Sequence, residues 1–377
     1  MQIKNTDPDS AERTALGAAF LAAAMALPMA APAHAESPPE RGFVGMKYLD
    51  YLDSQPGDNR IQVRAKAVTV IAPVYSDWSI SGTFTSDAIS GASPAYQSSG
   101  LGAMHDERHA LDASATRYFP NGTLTLGANV SSESDYLSRG LSLQMTSANE
   151  SKNTTWSAGI GLNSDEINPS NGIVKNESKH ITDLLLGVTQ VLTVNDIVQL
   201  NVGMSWGTGY FSDPYKFADD RPRTRDHSTL MVRWNHHMEA SQGTLRSSYR
   251  YYTDSWSITA HTLGLEYVQP LMNGWSVTPL MRVYSQGAAS FYVASDDSSY
   301  PFAPSSTSNY SEDQRVSAFG AHTYGLKVAK RIDQDWTADV KLEQYEQRAE
   351  WRLSGSGTPG MLPFSARSLQ LGISRQF

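Results

Sequence analysis

Cysteine is absent from the 377-residue chain, which excludes both a disulfide framework and a thiolate metal site. Basic residues are in the minority: 30 Lys and Arg stand against 38 Asp and Glu, a formal charge of −8. No nucleic-acid partner is expected, because phosphate binding requires a basic face. After the amino-terminal region, no segment approaches the run of roughly eighteen apolar residues that a membrane-spanning helix needs.

One short apolar run is present near the amino terminus. Residues Thr14–Leu27 are small and apolar, and Ala33-His34-Ala35 follows shortly afterwards. A run of this length that ends in an A-x-A site predicts a secretory signal peptide over residues 1–35, cleaved before Glu36. Acidic residues in place of a basic region before the run are atypical, and a start codon assigned upstream of the true one is our preferred explanation. The predicted mature domain covers residues 36–377.

The mature sequence alternates between apolar and polar residues with a period of two, as Val198, Leu200 and Val202 do with Gln199 and Asn201. Such strands separate an apolar environment from a polar one. In lipid, the backbone N–H and C=O groups of an open sheet edge would have no hydrogen-bond partners, so a sheet that spans a membrane must be closed. We therefore predict an all-β fold, a transmembrane antiparallel up-and-down β-barrel of about sixteen strands. The strands are expected near 44–53, 61–74, 78–90, 107–120, 122–135, 139–148, 154–165, 180–193, 196–209, 228–239, 243–254, 258–271, 274–287, 318–332, 336–351 and 364–377.

Short and long connections alternate between these predicted strands. Turns such as 74–77 and 120–122 are short, whereas every second connection is usually longer, as at 210–227 and 288–317. Outer-membrane barrels place their short turns in the periplasm and their long loops outside. An even strand count then puts both termini on the periplasmic side. We expect the loop 288–317 either to extend outward or to fold inward and narrow the pore.

Aromatic residues support this orientation. Four tryptophans fall within the first residues after a proposed periplasmic turn and share the parity of the aliphatic face, as in an interfacial girdle. They are Trp78, Trp156, Trp275 and Trp336.

The carboxy-terminal strand carries the sharpest single signal. Leu369, Leu371 and Ile373 share one face with the final Phe377, and Arg375 on that face departs from the usual apolar residue. Outer-membrane barrels typically end in such a strand, and the barrel-assembly machinery recognises its terminal Phe. Phe377 is therefore the predicted assembly signal.

Several stretches carry a family resemblance: RIQVRAKAVTVIAPV (60–74), DAISGASP (87–94), DERHALDASATRYF (106–119), SSESDYLSRGLSLQ (131–144) and NTTWSAGIGLNSDEI (153–167). Together they resemble the proteobacterial outer-membrane barrels of domain of unknown function family 3570, and SGASP is the most specific piece. The resemblance implies a fold and a location, but no activity.

Charged residues of the first half form a candidate cluster when the predicted strands are projected onto two faces. The residues predicted to face the lumen are Arg64, Lys66, Asp87, Arg108, Asp112, Glu133, Asp135 and Asp165. A salt-bridge network that braces the wall is the first interpretation. A cation-selective constriction, a divalent cation held by Asp87, Glu133 and Asp135, and a catalytic carboxylate pair are the alternatives. We predict no metal site and no cofactor.

Three classes of function remain open. A diffusion channel for small solutes comes first, and a structural or scaffold barrel that serves another envelope protein without an open pore comes second. An outer-membrane enzyme comes last, because His105, Asp106 and Ser138 supply suitable residue types without a recognisable motif. The expected partners are outer-membrane lipid, lipopolysaccharide and the barrel-assembly machinery, with an envelope protein as a further candidate.

Overall fold

The computed structural model describes residues 37–56, 58–91, 104–216, 219–294 and 308–377. These residues form a closed barrel of sixteen antiparallel strands, which confirms the predicted fold. Each strand pairs with its neighbours in the sequence, and β1 pairs with β16 to complete the ring. The strands are β1 (Phe43–Gln55), β2 (Asp58–Val74), β3 (Trp78–Gly91), β4 (Met104–Phe119), β5 (Gly122–Ser132), β6 (Tyr136–Ala148), β7 (Thr154–Ile167), β8 (Glu177–Val191), β9 (Asp196–Gly209), β10 (Thr224–Met238), β11 (Gly243–Asp254), β12 (Thr259–Pro270), β13 (Trp275–Gln286), β14 (Phe319–Arg331), β15 (Trp336–Arg348) and β16 (Phe364–Gln376).

No helix in the described ranges has the length and apolar composition needed to cross a membrane. The predicted signal peptide, residues 1–35, lies outside these ranges and stays a prediction.

The two ends of the barrel differ. The start of β1, the end of β16 and short turns such as 75–77 and 120–121 lie at one end, which we call the turn end. The opposite end, which we call the loop end, carries the longest connections of the chain. The described parts of these long connections are 168–176, 210–216, 219–223, 287–294, 308–318 and 349–363.

Alternate residues of every strand point away from the lumen, and the outer face is apolar because many of these outward residues are aliphatic or aromatic. Phe84, Leu126 and Leu162 are exposed there, and so are the predicted girdle residues Trp78 and Trp156 near the turn end. In a soluble protein the apolar face of a sheet is covered. This closed barrel instead exposes its aliphatic side chains on the outside.

The inner face is packed on one side. Leu49 of β1 and Val63 and Ala65 of β2 form a buried apolar cluster inside the barrel, with Tyr51 against it. Inward-facing Gln370 of β16 is also buried. At the level of Leu49, the lumen wall formed by β16, β1 and β2 is therefore buried.

The seam between β1 and β16 extends beyond the strands themselves. Gly42 and Phe377 exchange two backbone hydrogen bonds of 2.8 and 2.9 Å. The Phe377 ring covers Gly42 so closely that a Cβ atom at that position would lie 2.6 Å from it. Phe377 thus completes the last pair of the ring.

At the loop end, the connections 210–216, 219–223, 255–258, 287–294 and 308–318 pack into a layer that we call the loop cap. Its apolar core contains Trp256, Ile258, Phe291 and Val316. The backbones of Asp220 and Tyr310 exchange two hydrogen bonds of 2.7 Å, which join two of these connections.

A buried ionic cluster lies within the loop cap. The Asp313 carboxylate contacts Lys216 at 2.8 Å, Arg221 at 2.6 Å and the Arg315 guanidinium. Arg315 also reaches Asp213 at 2.7 Å, and Arg221 reaches Asp219 at 2.9 Å. Three acids face three bases, so the cluster is neutral as a whole, which offsets much of the cost of burying charge.

Candidate functional site

Four carboxylates meet on the inner side of the barrel at the loop end of β3 to β6. We call Asp87, Asp106, Glu133 and Asp135 the acidic cluster. Asp106 of β4 and the two turn residues Glu133 and Asp135 each offer an oxygen within 4.8 Å of the others. Asp87 lies opposite Arg108 in the β3 and β4 register, and its Oδ1 accepts a hydrogen bond of 2.8 Å from the Arg108 Nε.

Within the described part of the chain, the charges that act on Glu133 are the Arg108 guanidinium and the carboxylates of Asp106, Asp135 and Asp87. Glu133 lies in the turn between β5 and β6. Burial, followed by the neighbouring Asp106 carboxylate, raises the pKa of Glu133 to about 7, although Arg108 acts in the opposite direction.

The chemistry open to the acidic cluster is limited. Carboxylate oxygens suit calcium, but calcium takes roughly six to eight of them, and here three side chains converge. The converging set contains Asp106, whereas the sequence interpretation used Asp87, which is engaged by Arg108. The absence of a metal site stays a prediction.

The two other predicted acids lie apart from the acidic cluster. The Asp165 carboxylate accepts a hydrogen bond of 2.5 Å from the Tyr136 hydroxyl and lies 3.1 Å from the Lys179 ammonium. Asp112 of β4 faces the lumen further from the loop end, in the row of Thr83. Asp165 is thus part of a bracing contact between β6, β7 and β8.

Asp135 connects the barrel wall to the loop cap. It is buried and accepts a hydrogen bond from the hydroxyl of Tyr215, a residue of the cap. The wall and the cap are therefore joined through a polar contact.

The predicted inward orientation of Arg64 and Lys66 is wrong. Their neighbours Val63 and Ala65 face the lumen, and Ala65 pairs with the inward Asp87, so Arg64 and Lys66 point outward. The Arg64 side chain is 62% exposed and lies 3.3 Å from Asp50 of β1, which also faces outward. Alternation alone misassigns these two side chains because the aliphatic residues Val63 and Ala65 pack inside the barrel instead of facing the lipid.

A second charged surface lies on the opposite wall and was missed in the sequence. Arg233 of β10, Arg246 and Arg250 of β11 and Arg282 of β13 face the lumen and are exposed. We call these four residues the arginine patch. They alternate with outward aromatic and aliphatic residues such as Tyr249 and Met281. A projection of the second half of the chain onto two faces could have found them.

The closed ring, the apolar outer face and the polar lumen define this protein as an outer-membrane β-barrel. It belongs to the family described as protein of unknown function (DUF3570), whose model matches residues 98–368. The family suggested by the sequence stretches is thereby confirmed. Comparison with curated protein sequences finds no match.

Solved structures resemble the chain in fold. A bacterial polysaccharide outer membrane secretin has a TM-score of 0.51 at 9% identity, with 89% of this chain and 98% of that chain covered. OccD3 (OpdP) from Pseudomonas aeruginosa has a TM-score of 0.45 at 11% identity, covering 92% of this chain and 93% of that chain. The siderophore receptor PirA from the same organism has a TM-score of 0.44 at 11% identity, covering 82% of this chain. This chain spans 56% of the receptor's length. At such identities the likeness concerns the fold alone.

Proposed function

We propose that this protein is a diffusion channel for small solutes in the bacterial outer membrane. The observation that carries the proposal is the accessibility of polar side chains on the inner face between β5 and β13. Asn129, Gln144, Arg233 and Arg250 face the lumen and are exposed. Exposed polar residues inside a closed ring indicate water there, and barrels of about sixteen strands leave an aqueous channel unless something plugs it.

The distribution of charge supports passage of polar solutes. The acidic cluster lies on the wall of β3 to β6, and the arginine patch lies on β10 to β13. Charges of opposite sign on facing walls create a field across the lumen, and lumen charges tune selectivity in such barrels.

A structural barrel without an open pore is the second candidate. The buried inner cluster around Leu49 and Val63 and the packed loop cap favour it, because both remove space from the lumen and its mouth. The proposal of a channel therefore depends on a continuous path along β5 to β13.

The location and partners follow from the same proposal. An outer-membrane barrel of this kind contacts lipid through its apolar band, lipopolysaccharide near its loop end, and the assembly machinery through Phe377. Arg64 and Lys66 support the lipopolysaccharide contact. They face outward on the loop-end side of the aliphatic residues Val68 and Val70, where basic side chains attract anionic headgroups.

Reconstitution of the purified barrel into planar bilayers tests the function. We expect stepwise conductance in KCl from the unmodified protein. Fractionation with the outer membrane, together with faster gel migration before boiling than after it, tests the location. A folded, heat-modifiable barrel without conductance would favour the structural candidate, and recovery from the soluble periplasm would contradict both.

A further inference from the structure

We infer that the arginine patch is a binding site for small organic or inorganic oxyanions, the carboxylates and phosphates. This inference rests on the proposed function and deepens it, because it names a class of solute for the channel. The site is defined by the register of four strands, by the two small residues that lie between the arginines, and by the balance of charge.

The register places the site in one continuous row. Arg233 pairs with Ser248, Ser248 pairs with Gly264, and Gly264 pairs with Arg282. The row therefore has a guanidinium-bearing residue at each end and the two small residues between them. Three strand spacings separate its ends, which places their Cα atoms roughly 14 Å apart.

Two further arginines flank the row. Arg246 and Arg250 lie two residues to either side of Ser248 on β11, and their side chains point to the same face because the strand period is two. Arg250 also stacks its guanidinium over the Tyr252 ring, at 5.7 Å from the centroid. Four cationic groups thus surround a shallow depression in the lumen wall.

Ser248 and Gly264 form the floor of this depression. A Cβ atom on Gly264 would lie 2.8 Å from the Ser248 Oγ, so any side chain there would displace the Ser248 hydroxyl and fill the floor. Because Ser248 has a short side chain and Gly264 has none, an anion can approach the wall between the arginines. There it would meet planar guanidinium groups, which match carboxylate and phosphate in geometry.

The arginine patch lacks sufficient counter-charge. Glu266 lies 4.0 Å from Arg246, and both side chains are nearly half exposed. Arg233, Arg250 and Arg282 form no ion pair with any residue that the structure describes. By contrast, the lysines of the adjoining wall are paired: Lys327 with Asp339 at 3.8 Å and Lys341 with Glu343 at 3.1 Å. The unpaired positive charge therefore lies in the arginine patch rather than on the adjoining wall of β14 and β15.

Equilibrium dialysis of the purified barrel in detergent, with labelled succinate in one arm and labelled inorganic phosphate in the other, tests the site. We expect saturable binding at low salt, weaker binding as ionic strength rises, and a loss of about tenfold or more in the Arg250→Gln/Arg282→Gln double variant. Lys327→Gln is the matched control, since it removes a lumen cation that already has a partner, and it should bind within about twofold of the unmodified protein.

A second variant separates shape from charge. Gly264→Leu leaves all four arginines in place and fills the floor between them, so it should also weaken binding. Heat-modifiable migration on gels establishes that each variant is folded. If the folded double variant bound both probes as tightly as the unmodified protein, or if the unmodified protein bound neither, the inference would be overturned.

The same proteins in planar bilayers distinguish this inference from the proposed function. Binding with conductance supports both. Binding without conductance supports the oxyanion site and overturns the channel. Conductance without saturable binding leaves the channel standing and overturns the oxyanion site. The relative affinity for succinate and phosphate identifies which oxyanion the patch prefers.

Discussion

At the scale of single residues, burial and then the neighbouring carboxylates make the charged form of Glu133 unfavourable. Its carboxyl has a folded-state pKa of about 7 against an ordinary value of 4.5. The folded protein therefore binds more protons at Glu133 than the unfolded chain does between these two values, and stability falls as the pH rises through that window. Asp106 and Asp135, which share the same space, keep the charged form unfavourable.

Glu133→Gln should consequently stabilise the protein at pH 8 by about 1–3 kcal/mol, since a neutral amide replaces a poorly solvated carboxylate. At pH 4.5 the difference should almost vanish. The midpoint of urea unfolding in detergent, followed by tryptophan fluorescence at both pH values, measures the effect. Glu107→Gln is the control, because Glu107 lies on the neighbouring strand but is exposed. A destabilised Glu133→Gln protein at pH 8 would show that the carboxylate is needed in its charged form.

The two faces of one strand make a second residue-scale comparison. Leu126 of β5 is 60% exposed on the outer face, and the adjacent Thr125 faces the lumen, where its hydroxyl lies 2.9 Å from that of Thr116. Leu126→Lys should cost about 2–4 kcal/mol in the membrane and reduce the folded yield, whereas Thr125→Lys should assemble. Equal folded yields in the two variants would mean that Leu126 does not face lipid.

At the scale of strands, alternation predicted the ring well because each strand repeats the same two-residue pattern several times. It failed on β2 for a reason that the sequence contains. Val63, Ala65 and Ala67 are apolar at odd positions, whereas Val68 and Val70 are apolar at even positions. The apolar residues change face between Ala67 and Val68. Towards the loop end from there, Val63 and Ala65 point inward and pack with Leu49. Apolar residues therefore occur on both faces of β2, and hydrophobicity alone cannot orient Arg64.

The seam of β1 and β16 supports a strand-scale prediction. Deletion of Phe377 removes two backbone hydrogen bonds to Gly42 and the ring that covers it. We expect most of the folded, heat-modifiable protein to be lost from outer-membrane fractions. Phe377→Tyr retains the ring and both backbone bonds and should assemble. Normal assembly of the deletion variant would place the recognition signal elsewhere in the strand.

At the scale of the whole molecule, the charged sites depend on contacts between distant segments. Arg233 and Arg282 are 49 positions apart in the sequence, and they share a row only because β10 to β13 pair in a particular register. Asp106 meets Glu133 for the same reason. Alternation predicts which face a residue occupies, but the height of each residue along the barrel depends on strand register, which the sequence pattern does not define.

The loop cap is the other whole-molecule feature that sequence patterns did not reveal. Its ionic cluster joins Asp213 and Lys216 to Asp313 and Arg315 across about a hundred residues. Polar loop composition predicted only an external or inward-folded loop over 288–317. Its described parts, 288–294 and 308–317, pack within the cap, whereas 295–307 lie outside the described residues.

Asp313→Ala tests whether the ionic cluster holds the loop cap together. The change leaves Lys216, Arg221 and Arg315 with two acids instead of three, and an uncompensated buried charge costs about 3–5 kcal/mol. We expect trypsin to cleave the variant within 210–223 while the barrel itself remains heat-modifiable, because the strands do not depend on this cluster. Asp226→Ala, an exposed acid at the same end, is the matched control.

The pH dependence of the loop cap's stability provides an independent measurement. The three bases around Asp313 hold its pKa well below the ordinary value of 3.8. A depressed folded-state pKa contributes stability that is complete above the unfolded value and disappears as the pH falls through the folded one. The loop cap of the unmodified protein should therefore keep its structure at pH 4.5, and loosen only well below pH 3.8. Intrinsic tryptophan fluorescence can follow this transition at acid pH, since Trp256 lies in the core of the cap. A loss of cap structure between pH 6 and pH 4.5 would mean that a group other than Asp313 controls it.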